Sequence, residues 1–188
     1  MNYFSEKAYD EQDFTTSPLP KGEYEYCIFK NCNFAEADLS KIRFIDAEFL
    51  DCDFSNAKVH HTSLQDVRFK DCKLLGIQFD SCDAFNFSVN FEHCLLNHSV
   101  FYRMKLNRTS FHDCQLHHVD FAEADLSNSK LTKCDLLNAT FDYTNLEQAD
   151  LRGATQYSID PEKNRLKGAK FSLLEVVRLL EKYGLVIE

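Results

Sequence analysis

The 188-residue sequence contains only 5 glycines and 3 prolines, and it has no tryptophan. A domain of this length ordinarily uses more glycine and proline to make its turns, so other residue types must make them here. No apolar run is long enough to span a membrane, and the N-terminal stretch MNYFSEKAYDEQ lacks the basic and apolar regions of a secretory signal. These absences predict a cytoplasmic protein with no membrane attachment.

The charge of the chain restricts its partners. The formal net charge is -9, whereas contact with nucleic-acid phosphates requires a basic surface. We therefore expect no direct nucleic-acid binding. The same charge is compatible with an acidic surface that is offered to a basic partner.

A large apolar residue recurs at every fifth position. The unit is small-polar-large-polar-polar, as in Cys32-Asn33-Phe34 and Ala37-Asp38-Leu39. A period of five fits neither the 3.6-residue period of a helix nor the two-residue period of a flat strand. Each pentapeptide is therefore predicted to form one side of a four-sided coil, with its small and large residues inside. The first run of large residues is Tyr24, Phe29, Phe34, Leu39, Phe44, Phe49, Phe54, Val59, Leu64, Phe69, Leu74 and Phe79.

Four sides of five residues predict a second period of 20, and the cysteines follow it. Cys32, Cys52 and Cys72 are 20 residues apart, and so are Cys94, Cys114 and Cys134, but the step between the two groups is 22. The large apolar residues shift by the same amount and resume at Phe91. The sequence therefore predicts two extra residues, and a bulge or kink, within residues 85–88.

These periods predict an all-β fold, a right-handed quadrilateral parallel β-helix of pentapeptide repeats with a C-terminal α-helix. The expected organisation is an N-terminal cap or lead-in over 1–21, a first repeat block over 22–84 and a register break at 85–88. A second repeat block over 89–154 and a C-terminal capping and dimerisation segment over 155–188 follow. Pro18 and Pro20 argue against ladder pairing in the first segment.

The C-terminal helix is predicted over residues 173–183. Ser172 and Glu175 have the spacing of a capping box, and Gly184 follows the helix as a stop. The apolar residues of this segment recur at helical spacing and exceed what one buried face needs. We predict that the helix covers the open coil, contacts a second subunit, or does both.

Two features could carry chemistry, and each has a simpler explanation. The cysteines occupy the small inward position, where a thiol packs as a compact core residue. His98 and His118 are 20 residues apart, next to His117, and could form a metal or sensor site, but outward positions tolerate solvated histidines. Neither a phosphate-binding glycine loop nor a nucleophile elbow occurs. We predict a protein that is not an enzyme and has no catalytic, cofactor or metal site.

The motifs CNFAEADLS at 32–40 and VDFAEADLSNSKL at 119–131 resemble the pentapeptide-repeat family, whose usual unit is A(D/N)LXX. The tail IDPEKNRLKGAKFSLLEVVRLLEKYGLVIE is similar to the ending of the Qnr-type quinolone-resistance proteins and their MfpA-type relatives. The resemblance implies a cytoplasmic homodimer, joined through the C-terminal helix, whose acidic rod mimics B-form DNA and binds DNA gyrase or topoisomerase IV. One departure is that several plasmid-borne Qnr proteins carry sizeable projecting loops, whereas the interruption here is two residues.

By position, the resemblance implies a topoisomerase-facing acidic set of Asp120, Glu123 and Asp142, and a dimer interface of Leu173, Val176, Val177 and Leu180. It also implies a role in quinolone resistance. The alternative is a non-catalytic structural or scaffold repeat protein with an unrelated partner, in which the charges keep a long β surface soluble.

Overall fold

The computed structural model describes residues 2–185, which form an all-β parallel solenoid of about eight coils. Each coil has four sides of five residues. The first three coils are residues 2–21, 22–41 and 42–61, called coils 1, 2 and 3 here. The strands are β1 Asn2–Ser5, β2 Ala8–Asp10, β3 Gly22–Glu25, β4 Ile28–Lys30, β5 Arg43–Ile45, β6 Glu48–Leu50, β7 Ser63–Gln65, β8 Val67–Lys70, β9 Val89–Glu92, β10 Ser110–His112, β11 Lys130–Thr132, β12 Asp150–Leu151 and β13 Lys170–Phe171.

Two parallel sheets run along the solenoid. The first side carries β1, β3, β5 and β7, and the second side carries the other nine strands in spatial order from β2 to β13. The third and fourth sides pair through single bridges, such as Asn33 with Asp53 and Asp38 with Lys58. Apart from the register break, bridged partners are 20 residues apart, so identical sides stack along the rod.

The interior consists of columns of stacked side chains. On the second side, Phe29, Phe49 and Phe69 lie parallel, with ring centroids 4.8 and 5.1 Å apart. On the fourth side, Phe101 stacks on Phe121 at 5.4 Å. These separations are close to the spacing of neighbouring strands, about 4.8 Å. Stability therefore comes from contacts between adjacent coils, as in other solenoids.

The solenoid begins earlier than the predicted boundary at residue 22. Residues 2–19 form a coil, in which Phe4, Tyr9 and Phe14 each stack at 4.6 Å on the ring 20 residues later. Lys7 and Gln12 stand here at the positions that hold a small inward residue in later coils, and both are exposed, which obscured the repeat. Polar residues are accommodated at these positions because they lie at the open end of the rod.

The register changes between β8 and β9. Phe69 pairs with Phe91, a step of 22 residues, whereas Phe49 pairs with Phe69 and Phe91 with Phe111 at steps of 20. The first-side sheet ends at β7, and a 3-10 helix spans Phe79–Ser81 just before the insertion. Phe85 projects with 69% of its surface exposed, while Phe87 packs against the core.

At the other end the coils continue past the predicted limit of 154. Arg165 bridges Asn145, and β13 pairs with β12. Asn164 occupies an inward slot, where its side-chain amide donates to Phe141 O at 2.6 Å and its side-chain oxygen accepts from Thr144 N at 2.8 Å. An amide side chain held by these hydrogen bonds stands where other coils have a small residue. The repeat was therefore not visible there in the sequence.

The predicted α-helix over 173–183 is wrong. Within the described residues this segment forms a 3-10 helix over Val176–Tyr183, preceded by a turn. The capping box does not form, because the Ser172 hydroxyl accepts from Gly153 N at 2.8 Å and Glu175 pairs with Arg178 at 2.6 Å. Ser172 thus joins the segment to the solenoid instead of capping a helix. The last three residues of the predicted 155–188 segment lie outside the described residues.

Candidate protein-binding surface

The outer edges of the coil are made by residues in the left-handed backbone region. In most pentapeptides, the residue two positions after the large one has a positive φ, as in Asp46 at 48° and Asp66 at 52°. On the third and fourth sides the turn is closed by a hydrogen bond such as Ala37 N to Phe34 O at 3.0 Å. Asn and Asp tolerate this conformation better than other non-glycine residues. This geometry explains how the chain turns with few glycines, and it places the side chains of these positions outward.

Stacking of corners aligns like charges in the first half of the rod. Asp46 and Asp66 lie at one corner of neighbouring coils, and Asp51 and Asp71 lie at the next. The Ser88 hydroxyl donates to Asp66 at 2.8 Å, and His93 approaches Asp71 at 3.7 Å. The structure places no lysine or arginine within ion-pair distance of these four carboxylates in residues 2–185.

The three acidic residues predicted to face a topoisomerase lie together on the fourth side, but two of them are ion-paired. Glu123 accepts from Arg103 at 2.7 and 3.1 Å and from the Tyr102 hydroxyl at 2.9 Å. The hydrogen bond from Arg103 is the main cause of the lowered pKa of Glu123, and the hydrogen bond from Tyr102 adds to it. Asp142 lies 3.5 Å from Lys163. Asp120 accepts from Ala122 N at 2.8 Å and thereby helps to form its own turn. This face is therefore partly neutralised.

The ion pair of Glu123 was accessible to sequence reasoning, because Arg103 is also a corner residue and lies 20 positions earlier. The partner of Asp142 was not accessible in this way, since Lys163 lies where the repeat is hidden.

The net charge differs between the two halves of the chain. Residues 1–84 hold 16 acidic and 9 basic side chains, a net charge of -7, whereas residues 89–188 hold 14 and 12, a net charge of -2.

The histidines form a surface patch on the second block. The His98 and His118 rings are stacked at 4.9 Å with an interplanar angle of 5°. His117 Nε2 lies 2.7 Å from an Asp135 oxygen. Parallel stacked rings do not direct their nitrogens at one point, as a shared metal ion requires. No group of three or more His, Cys, Asp or Glu side chains is arranged around a common metal position in residues 2–185.

The eight cysteines are buried and unpaired. In the column, Cys52 Sγ lies 3.5 Å from Phe29 O and 3.3 Å from Leu50 O, so the thiol donates to backbone oxygens. Burial raises the pKa of the Cys32 thiol to about 11 and also raises that of Cys82. Because the thiolate is the nucleophile and the metal ligand, the raised pKa values suit the Cys32 and Cys82 thiols to packing and not to chemistry.

The interior leaves little space for a ligand. An enclosed void of about 10 Å³ lies between Phe44, Phe69 and Phe79, roughly the size that one water needs. Larger depressions are open surface grooves, such as one of about 490 Å³ beside the register break. No helix in the described part of the chain is long and apolar enough to cross a membrane.

The predicted dimer residues lie at the C-terminal end of the rod. Leu173 is 85% exposed, Val177 and Leu180 are also exposed, and Val176 is half-buried. Leu174 adds a second fully projecting side chain next to them. Lys182 holds the segment against the solenoid through ion pairs with Asp160 and with Glu162, the latter at 2.8 Å. The segment thus presents several exposed apolar side chains near the C-terminal end of the rod.

The fold defines a parallel β-solenoid of stacked pentapeptide sides. The family model described as "Pentapeptide repeat region" matches residues 23–88 and 84–157, two regions that meet at the register break. The chain belongs to the pentapeptide-repeat family.

Solved structures extend the likeness to the whole chain. The trypsin-treated form of QnrB1, a plasmid-mediated fluoroquinolone resistance protein, superposes with a TM-score of 0.68 at 19% identity over 100% of both chains. HetL, a pentapeptide repeat protein involved in heterocyst differentiation regulation from the cyanobacterium Nostoc sp. strain PCC 7120, matches at 17% identity and a TM-score of 0.44, over 89% of this chain and 84% of HetL. No curated protein sequence matches this chain.

Proposed function

We propose that this protein binds a type II topoisomerase, DNA gyrase or topoisomerase IV, by presenting an acidic rod in place of duplex DNA. The observation that carries the proposal is the alignment of carboxylates that have no Lys or Arg ion pair, Asp46 with Asp66 and Asp51 with Asp71, along neighbouring corners of the first block. Such a row complements the basic groove with which a DNA-handling enzyme holds its substrate.

The charge density decides which part of the rod suits this role. The four coils of residues 1–84 extend about 19 Å, at about 4.8 Å per coil. A net charge of -7 over that length is roughly one charge per 3 Å, compared with about one per 1.7 Å of duplex DNA. Residues 89–168, which are also four coils, hold 11 acidic and 9 basic side chains, a net charge of -2 over the same length, or roughly one charge per 10 Å. The first block is therefore the better electrostatic substitute for DNA.

Asp120, Glu123 and Asp142 remain predicted contacts, with a smaller expected contribution. A basic partner has to compete with Arg103 for Glu123 and with Lys163 for Asp142, so part of the attraction is lost. We expect the first block to supply most of the salt-dependent attraction. The fourth side of the second block should mainly fix the position of the rod on its partner.

We further propose that the protein is a homodimer joined by the C-terminal patch of Leu173, Val176, Val177 and Leu180. Burying these side chains against a second copy would remove exposed leucine surface from water, at about 25 cal/mol per Å². Two copies joined at this end would double the length of the acidic rod. Sedimentation equilibrium should give twice the chain mass for the natural protein and the chain mass for a Leu173→Asp, Leu180→Asp variant.

The function is tested by adding the purified protein to gyrase and topoisomerase IV, with and without a fluoroquinolone. Inhibition of supercoiling that weakens between 50 and 300 mM salt supports topoisomerase binding. Reduced drug-dependent DNA cleavage supports a role in quinolone resistance, and inhibition without such a reduction supports binding alone. Absence of binding to either enzyme at low salt would reject the proposal and favour a scaffold protein with a different partner.

A further inference from the structure

The two ends of the rod treat their open backbone differently. Coil 1 hydrogen-bonds to coil 2 on one side only, and no described residue lies on its other side. An open parallel edge of this kind is a template for a strand of another molecule. The way in which coil 1 uses its outward-facing groups therefore matters for self-association.

Two outward carbonyls of coil 1 are already occupied. In coil 2, Lys30 O accepts from Glu11 N at 3.0 Å, and Asn33 O accepts from Phe14 N at 2.8 Å. The corresponding acceptors in coil 1 are Asp10 O and Asp13 O, and no backbone N–H of another coil in residues 2–185 donates to them. Gln12 Nε2 donates to Asp10 O at 2.7 Å, and Ser17 N donates to Asp13 O at 3.3 Å. Groups of coil 1 itself thus donate the hydrogen bonds that a neighbouring coil donates to the corresponding carbonyls of coil 2.

The fourth side of coil 1 lacks a donor. In coil 3, Lys58 N donates to Ala37 O of the coil before it at 2.9 Å. The residue at the same position in coil 1 is Pro18, which has no N–H, and Pro20 follows two residues later. A further coil could not receive this hydrogen bond, because proline removes the donor.

The rim of coil 1 is also acidic. Coil 1 holds Glu6, Asp10, Glu11 and Asp13 together with two lysines, Lys7 and Lys21, and Lys21 lies 3.4 Å from Asp38 of coil 2. A second copy approaching end to end would bring eight carboxylates of the two rims together. Like charges at a strand edge oppose pairing. The C-terminal end differs, since it presents the exposed side chains of Leu173 and Leu174.

We propose that residues 2–21 are an end cap that prevents a second copy from adding to the sheet, so that self-association is restricted to the C-terminal end. The cap combines occupied carbonyls, proline at the donor position and a ring of negative charge. The capping itself does not depend on topoisomerase binding, whereas the restriction of self-association to the C-terminal end rests on the proposed C-terminal dimer.

The proposal is tested in full-length protein that also carries Leu173→Asp and Leu180→Asp, which removes the C-terminal contact from the measurement. One variant combines Glu6→Gln, Asp10→Asn, Glu11→Gln, Gln12→Ala, Asp13→Asn and Pro18→Val. A second changes only the four rim carboxylates to amides. The matched control carries Asp46→Asn, Asp51→Asn, Asp66→Asn and Asp71→Asn, which remove the same charge from the middle of the block.

Sedimentation velocity over a range of concentrations is the measurement, with circular dichroism as the check of folding. We expect the six-substitution variant to form end-to-end species at concentrations at least about tenfold lower than the control. The variant that changes only the four carboxylates should form these species at intermediate concentrations. If the six-substitution variant fails to fold, the comparison of this variant with the control decides the test. Rim variants that fold and sediment as the control does at every concentration would overturn the proposal.

Discussion

The two repeat blocks share one backbone geometry but differ in their stacked interior side chains and in their surface charge. On the second side, the first block stacks Phe29, Phe49 and Phe69, whereas the second block ends this column with Leu131 and Leu151. Residues 1–84 have a net charge of -7 and residues 89–188 have a net charge of -2. The coil therefore requires a large apolar residue at one position and a residue that tolerates positive φ at another, and leaves the outward charges free to vary.

This separation explains how one fold can serve different partners. The inward positions determine stability through stacking, while the outward positions determine the electrostatic field. A change of outward charge on one block can alter binding without altering the fold. The comparison of the blocks can thus be tested separately for stability and for binding.

The largest expected effect is the loss of a stacked ring from the first block. Phe49→Ala should lower the free energy of unfolding by about 4 kcal/mol, and Leu131→Ala on the same side of the second block by about 3 kcal/mol. The difference reflects the larger volume of the ring and its stacking with two neighbours. Urea denaturation followed by circular dichroism measures both, and equal losses would show that aromatic stacking adds nothing to burial.

The junction between the blocks should respond less. Phe87→Ala removes a ring that packs against the core near Phe79, at 6.4 Å between centroids, and should cost about 1–2 kcal/mol. Phe85→Ala is the matched control, because the Phe85 ring is mostly exposed and should change stability by less than about 0.5 kcal/mol. Thermal denaturation distinguishes them, and an equal loss for both would mean that Phe85 is buried in solution by a second molecule.

A smaller gain is expected at a corner of the second block. Tyr143 has a φ of 55° and is exposed, so its side chain gains little from packing. Tyr143→Asn should stabilise the protein by about 0.5 kcal/mol, because Asn adopts this conformation at lower cost. Asp46→Asn at a corner of the first block is the comparison, and its effect should be smaller because Asp already tolerates the same φ. A destabilised Tyr143→Asn variant would show that the ring has a packing role.

The smallest effect concerns pH and the end of the second block. Hydrogen bonds from Lys182 lower the pKa of Asp160 and of Glu162. A carboxylate with a lowered pKa contributes stability above its unfolded pKa, near 4, and loses that contribution as pH falls further. Hydrogen exchange of residues 172–185 should therefore rise below about pH 4 in the natural protein and be less pH-dependent in Lys182→Ala. Equal profiles would mean that these exposed ion pairs do not hold the segment.

The fold was predictable because the repeat is carried by size alone. Every member of the series from Tyr24 to Phe79 is buried, and the family model covers the same region. The ends were less predictable, since exposed Lys7 and Gln12 stand at the positions of small residues in the first coil. At the other end, Asn164 fills an inward slot through hydrogen bonds that a size pattern does not show. The α-helix was predicted wrongly because the sequence shows Ser172 as a cap but does not show that Gly153 N competes for its hydroxyl.

The candidate surface was predictable in sign but not in position. The net charge indicated an acidic exterior, and the stacking period placed Asp120, Glu123 and Asp142 on one side. Their neutralisation depends on side-chain geometry, as in the double hydrogen bond from Arg103. The unpaired corners of the first block were available from the same period together with a separate charge count for each block.

The most direct test of the proposed function is the affinity for gyrase of the natural protein compared with its Asp46→Asn, Asp51→Asn, Asp66→Asn, Asp71→Asn variant, measured by surface plasmon resonance at 50 and 300 mM salt. If the first block substitutes for DNA, the variant should bind at least about tenfold more weakly at 50 mM salt, and its affinity should depend less on salt. Equal affinity and equal salt dependence of the two proteins would contradict it.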